Sequence, residues 1–472
     1  MKTIRIILWY AILWNLIACS SSLGELNKTE ELPLELIATS PQQNAVNLRA
    51  GTLNIYFTFN QIIRPVDLSL ITINDKPVNH IEITTNSIQL TYSVNVNSSY
   101  TVYVGKGAIA NIAGTINEES YALSFTTEEL ILNGRSIEAT RLLNYLKEIE
   151  GEKTLSSATA NVDWNYKEAM WINKHTGRYP AINNFDYGTA THSVPHPNSW
   201  MNYADITPVH EWAKSGGIVS AMWHWEQRRT VFDSPNDQPY TSRSDKTDFN
   251  PSAIFDPSSA DYAKIITDID EIANWMKPIA ELGIPIIWRP MHEAQGNWTE
   301  NNPDGAEWRK AWFWWGKDGP EAFVELWRVM YDRMVNYHKL NNLIWVFTTG
   351  DSKLWYPGDE YVDIVGCDLY GNENNPPISP QKATEWYNFI KENYPGKLAA
   401  LSECGRIETI SKQWESGAKW TYFMPWYDWE RTNNPTSTAF EQTCHFYCNI
   451  NWWNDTFKSS HVITRDQLPC IY

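Results

Sequence analysis

The rhythm of apolar and polar positions changes once along this chain, near residue 130. Before it, short runs alternate: Thr52-Leu-Asn-Ile-Tyr-Phe-Thr-Phe59, Ser87-Ile-Gln-Leu-Thr-Tyr92, Tyr100-Thr-Val-Tyr-Val104 and Tyr121-Ala-Leu-Ser-Phe-Thr126. A period of two sends one face to a core and the other to water, and Gly, Asn and Pro separate the runs. That pattern predicts a small all-β sandwich over 35–129. After the acidic link at Glu128 and Glu129, continuous apolar runs alternate with helical stretches. The predicted strands are 153–158, 179–187, 217–225, 284–293, 343–349, 362–370, 397–403 and 420–429. Such runs suit strands buried on both faces of a parallel sheet. The clearest helix is 260–282, where Ile265, Ile266, Ile269, Ile272, Ala273, Trp275 and Met276 form a broad apolar face; another covers 319–340. Eight strands with helices between them predict a (β/α)8 barrel over 130–472. An open doubly wound sheet is the second option, but no Gly-rich phosphate loop accompanies it.

The first residues follow another pattern. Lys2 and Arg5 precede an apolar run from Ile6 to Ile17, broken only by Asn15. The run is too short for an ordinary spanning helix and reads as an export signal over 1–18. It ends in Leu16-Ile17-Ala18-Cys19, which resembles a bacterial lipoprotein box. The resemblance implies that Cys19 is lipidated and that 19–34 is a flexible tether. The chain is then expected on the bacterial outer membrane, facing either the cell surface or the periplasm. The alternative is an ordinary cleaved signal with a chance cysteine.

Composition narrows the function. The formal net charge of −17 argues against nucleic acid, which calls for a basic patch, and suits a neutral polymer. Tryptophan stands out at 25 residues. Many lie at strand ends and in loops, where they form platforms for sugar rings as readily as core. Beyond Cys19 there are Cys367, Cys404, Cys444, Cys448 and Cys470, an odd number, so at least one lacks a partner within the chain. Cys367 and Cys404 sit in apolar strands and read as buried thiols. Cys444, His445 and Cys448 have helical spacing but too few further ligands for a metal. A disulfide from Cys444 or Cys448 to Cys470 is an open option in an exported protein.

Two glutamates carry the candidate chemistry. Glu293 closes the run 284–293 and Glu403 closes 397–403. Strand ends of a parallel barrel surround one cleft, and two carboxyls across a cleft are what glycosidic bond cleavage requires. Beside His292 and aromatic rings, Glu293 is a candidate general acid; the alternative is a strand-end salt bridge with Arg289. Glu403 must be ionised and fixed to attack an anomeric carbon. Tyr370, at the end of Ile364-Val-Gly-Cys-Asp-Leu-Tyr-Gly371, is placed to donate to it, or else to act as an aromatic lid.

Several segments together resemble glycoside hydrolase family 26. They are Trp288-Arg-Pro-Met-His-Glu-Ala-Gln-Gly-Asn-Trp298, Trp312-Phe-Trp-Trp-Gly316, Ala221-Met-Trp-His-Trp225, Leu401-Ser-Glu-Cys-Gly405 and Val462-Ile-Thr-Arg-Asp-Gln-Leu-Pro469. The resemblance covers roughly 135–472. It implies Glu293 as acid/base and Glu403 as nucleophile, with retention of configuration. It gives His292 to positioning Glu403 or the substrate, and Tyr370 to orienting the nucleophile. His224 and Trp298 would line the sugar subsites, with Trp426 under the sugar at the cleavage point. Of Trp312, Trp314 and Trp315, one or two are expected to touch sugar. Ala294-Gln295 stands where the family often has Met-Asn, which leaves the leaving-group subsite open. The implied activity is endo-β-1,4-mannanase acting on mannan, glucomannan or galactomannan as a monomer without metal or cofactor. A mixed-linkage β-glucanase or β-1,3-xylanase on the same barrel is the alternative, as is a glycan-binding lipoprotein without catalysis. In the early region, Ala38-Thr-Ser-Pro-Gln-Gln-Asn-Ala-Val46 and Phe57-Thr-Phe-Asn-Gln-Ile-Ile62 resemble bacterial immunoglobulin-like modules, as spacer or as carbohydrate binder.

Overall fold

The computed structural model describes residues 33–160, 164–188, 201–298, 311–431 and 434–472. Residues 1–32, which hold the expected signal 1–18, Cys19 and most of the expected tether 19–34, lie outside the described residues. The chain divides into two compact units between Glu129 and Leu130.

The first unit is all-β. One sheet joins Leu36–Ser40, Gly51–Phe59, Ser87–Val94 and Ile81–Thr84; a second joins Ala45–Leu48, Tyr121–Thr127, Ser99–Val104, Ile71–Ile73 and Lys76–Pro77. Alternation decides which side chains go inward. Ile55, Phe57 and Phe59 from one sheet and Val102, Val104, Leu123 and Phe125 from the other fill a single core.

The second unit is a closed barrel of eight parallel strands: β1 Thr154–Thr159, β2 Ile182–Asp186, β3 Ile218–Trp223, β4 Ile286–Pro290, β5 Leu343–Thr348, β6 Ile364–Tyr370, β7 Leu398–Gly405 and β8 Tyr422–Pro425. β1 pairs with both β2 and β8, which shuts the ring. The helices include α1 Ile137–Glu148, α2 Lys167–Thr176, α3 Thr207–Lys214, α4 Ala260–Glu281 and α5 Pro320–Tyr331. Serine N-caps start α1 and α4: Ser136 accepts from the Ala139 N–H and Ser259 from the Tyr262 N–H.

Two expectations need correction. The helix expected over 319–340 ends as α helix at Tyr331 and widens into a π-helix over Asp332–Tyr337. There Arg333 binds both carboxylate oxygens of Asp270 on α4, at 2.7 and 2.8 Å. The strand expected to run to Glu293 stops at Pro290. Pro290 has no N–H to extend the ladder, and Met291 and Glu293 take left-handed backbone angles, φ +45° and +49°. Glu293 thus stands on a tight turn just past the strand, a strained conformation of the kind that gathers at functional sites.

Candidate active site

The carboxyl ends of β4, β6 and β7 meet in an open cleft of about 560 Å³. Glu293, Asp368 and Glu403 lie on its floor, each offering an oxygen within 4.8 Å of the others. A register fault puts them together. β6 and β7 pair as Cys367↔Leu401 and then Asp368↔Glu403, so Ser402 is an extra residue, a β-bulge. The bulge turns Glu403 toward Asp368. Ser402 secures it by donating from Oγ to Asp368 at 2.7 Å and to the Cys367 carbonyl at 3.2 Å. Residue 366 must be glycine for this, since a Cβ there would come 2.3 Å from Ser402 Oγ.

Arg289 is the cation of the site. It is buried and binds Asp368 at 3.1 Å and Glu403 through its other terminal nitrogen. The Glu293–Arg289 salt bridge considered from the sequence is therefore not formed: the Arg289 fork is taken up by β6 and β7. Burial opposes its charge, and Asp368 and Glu403 more than restore it. On the far side Tyr370 donates its hydroxyl to Glu403 at 2.7 Å.

The environment separates the two glutamates in acidity. Burial holds the Glu293 carboxyl well above the usual carboxylate range, and the neighbouring charges of Asp368 and Glu403 add to this. A hydrogen bond shared with Asp368 favours the protonated form. Burial also raises Glu403, to about 7, but Arg289 and the Tyr370 hydroxyl pull it back. Glu403 therefore ionises before Glu293. Three oxygen donors this close suggest a cation position, and Arg289 already fills that place between Asp368 and Glu403.

A ring cluster borders the carboxyls. His224 follows β3, and Asp186 at the end of β2 accepts from both its backbone N–H and its Nδ1. Its ring meets His292 edge-on at 4.5 Å and Trp426 at 5.9 Å. Among the described residues His292, expected to position Glu403 or the substrate, makes no hydrogen bond to Glu403 and its Nδ1 has no partner; its ring lies against Phe313 and Trp315, and burial pushes its pKa well down. Trp298 is not in this cluster; it sits edge-on to Trp355 at 5.5 Å, just before 299–310, which lie outside the described residues. Trp312 lines the cleft and is 46% exposed, whereas Trp314 and Trp315 are fully buried core. Ala294 and Gln295 are buried too. Gln295 donates to the Trp298 carbonyl and to Asp351 and accepts from the Ser352 N–H, tying the turn after β4 to the loop after β5.

Asp368 and Asp186 were not singled out from the sequence, and Arg289 was weighed only as a salt-bridge partner of Glu293. Asp368 had a signal: it lies two residues before Tyr370 on one strand, hence on the same face. Arg289 had one as well, because a charge inside an apolar strand needs a buried partner. Asp186 had no comparable mark. Cys444, His445 and Cys448, whose spacing offered too few ligands for a metal, have other surroundings. His445 gives Nε2 to Glu168 and takes two backbone N–H groups on Nδ1. No disulfide forms among the described cysteines: Cys448 is buried against Cys404, while Cys444 and Cys470 are exposed.

An eight-stranded parallel barrel with two carboxyls facing each other at the ends of β4 and β7 has the layout that glycosidic bond cleavage uses. Residues 133–449 match glycosyl hydrolase family 26, and residues 30–127 match the bacterial Ig-like domain. The chain belongs to glycosyl hydrolase family 26. It is 32% identical over 302 residues to a mannan endo-1,4-beta-mannosidase of Thermothelomyces thermophilus, covering 63% of this chain and 57% of the relative. It is 31% identical over 383 residues to mannan endo-1,4-beta-mannosidase A of a Piromyces species, covering 76% and 57%. The chain thus spans little more than half the length of these relatives. Among solved structures, the GH26 domain of an endo-beta-mannanase/endo-beta-glucanase from Prevotella bryantii superposes with a TM-score of 0.60 at 35% identity, covering 71% of this chain and 97% of that one.

Proposed function

We propose that the chain is an endo-β-1,4-mannanase that cleaves mannan-type polysaccharide by double displacement with retention. The observation that carries this is the acid pair: Glu293, whose burial holds its carboxyl well above the usual range, and Glu403, raised less, with oxygens within 4.8 Å. That spacing suits a retaining pair, whereas inversion needs roughly 6.5–9.5 Å to admit a water. In the first step Glu403 attacks the anomeric carbon as Glu293 gives its proton to the departing oxygen. In the second, Glu293 takes a proton from water, the water oxygen attacks the same carbon, and Glu403 is released. Arg289 and Tyr370 hold the nucleophile. Trp426, His224 and Trp312 are the sugar contacts in this reading, and the mannan endo-1,4-beta-mannosidase relatives support the glycan.

The test is product analysis on galactomannan, glucomannan, lichenan and β-1,3-xylan in parallel. A ladder of manno-oligosaccharides from both mannans is expected. Mannobiose alone from the start would replace the endo mode by an exo one, and products only from lichenan or xylan would overturn the substrate.

Removing one hydroxyl should expose the orienting role. Tyr370→Phe is expected to lower kcat by roughly 10- to 100-fold, the effect of one hydrogen bond to a charged group, with KM nearly unchanged. A rise in KM at constant kcat would instead make Tyr370 a binding residue.

We also propose that Cys19 anchors the chain to the outer membrane through lipid. Cys19→Ala should move the protein from the membrane fraction to the soluble fraction; unchanged fractionation would refute the anchor.

A further inference from the structure

Far from the reacting atoms, a buried charge network ties the loop after β8 to α2. Glu168, on α2, is buried. One of its oxygens pairs with Arg431, whose guanidinium lies 4.0 Å over the ring of Trp171. The other accepts from His445 Nε2 at 2.9 Å. On the opposite edge of the imidazole, Nδ1 accepts the backbone N–H groups of Tyr447 and Cys448, both at 2.9 Å. This fixes the tautomer: Nε2 carries the proton and Nδ1 is the acceptor. Burial opposes the charge on Glu168, yet His445 and Arg431 draw its pKa below the ordinary value, so it stays ionised.

The backbone held in this way carries the wall of the cleft. Phe446 and Tyr447 line it. Tyr447 packs on Tyr370 with ring centroids 5.3 Å apart, and its carbonyl accepts from the Arg406 N–H at 3.2 Å. The fit over β7 is close: a Cβ on Gly405 would fall 2.1 Å from the Tyr447 ring. A continuous path of contacts therefore runs from Glu168 through His445, Tyr447 and Tyr370 to the carboxylate of Glu403.

The geometry points to His445 as a positioning residue for the reaction, oriented by Glu168 and acting through Tyr447 and Tyr370 on Glu403. This rests on the cleft being the place of glycan cleavage. Two side chains divide the functions of the imidazole. Asparagine at 445 keeps an acceptor near the Nδ1 position and loses the reach to Glu168. Glutamine keeps a donor near Nε2 and loses the acceptor for the two backbone N–H groups.

The experiment measures kcat, KM and melting temperature of the mature wild type, His445→Asn and His445→Gln on glucomannan. His445→Gln is expected to lose roughly tenfold in kcat, as a hydrogen bond to a positioned backbone is lost, with KM little changed. His445→Asn should stay within about twofold of wild type in kcat even where its melting temperature falls further. Equal kcat in the two variants, or losses that follow melting temperature, would overturn the proposal. Should His445→Gln not fold, Glu168→Gln replaces it: a glutamine amide can donate to Nε2, which lets the imidazole carry its proton on Nδ1 and lose the acceptor for the two backbone N–H groups. Its kcat should fall several-fold with KM little changed, and a kcat within twofold of wild type would overturn the proposal. A wild type that cleaves none of the glycans removes the proposed function, and this role with it. An active wild type with indistinguishable variants removes the positioning role alone.

Discussion

Glu403→Ala is expected to bring glycan cleavage down by about 10⁴-fold or more, since the carboxylate that forms the covalent intermediate is gone and Asp368 is held by Arg289 and Ser402. The fold should persist. Burial raises the Glu403 carboxyl to about 7, so the native state holds a proton more tightly there than the unfolded chain does. The sign follows from that difference. Below the unfolded pKa near 4.3 the carboxyl costs nothing. As pH rises toward 7, the unfolded chain gains increasingly from releasing the proton, and stability is lost. Glu403→Gln, which keeps the shape, should therefore melt at or above wild type at pH 7.5 and lose that advantage at pH 4. Chromatography of the products and two melting curves decide both points. Turnover in Glu403→Ala near wild type would sink the nucleophile assignment. A Glu403→Gln protein that is less stable at pH 7.5 than at pH 4, relative to wild type, would show that the Arg289 pairing outweighs burial.

The same residues show how far the sequence could be read. Two barrel strands, β1, Thr-Leu-Ser-Ser-Ala-Thr, and β2, Ile-Asn-Asn-Phe-Asp, are largely polar and were placed by the strand–helix alternation. Apolar runs marked most of the barrel strands, because strands covered on both faces leave such a pattern. Alternation marked the main sandwich strands for the converse reason. Glu293 and Glu403 were legible because a carboxyl directly after an apolar run has few structural uses. What the sequence hid is whatever depends on pairing across strands. The bulge at Ser402 is a matter of register between β6 and β7 and has no signature in either strand alone. Without it, Asp368 has no reason to be opposite Glu403, and Arg289 has no assigned partners. His445 was hidden differently. Its neighbours in sequence suggested a metal, while its partners come from a helix more than 250 residues earlier. Gln295 is comparable: in sequence it was only a departure from the family's pattern after Glu293, and in the fold it is a tie between two loops.

Arg289→Met should be the most destabilising single change at the site. The buried guanidinium stands between two buried carboxylates. Removing it leaves negative charge with no cation in a poorly solvated place, at a cost of about 3–5 kcal/mol at neutral pH. Lysine is no substitute, because a single ammonium cannot present two parallel donors to β6 and β7. The pH dependence separates charge from packing. Arg289 lowers both Glu403 and Glu293, so both carboxyls rise further above their unfolded values when it is gone. The added penalty is present above those unfolded values and fades as pH falls through them. Denaturant unfolding of wild type and Arg289→Met should thus show a wide gap at pH 7.5 and a narrow one near pH 4. Adding Glu403→Gln should return part of the lost stability at pH 7.5 but no activity, since it removes one of the stranded charges and the nucleophile together. A gap that stays constant with pH would assign the loss to packing against Met222 and Thr348, which Arg289 also contacts, and would remove the electrostatic account of how Glu403 is held ready for attack.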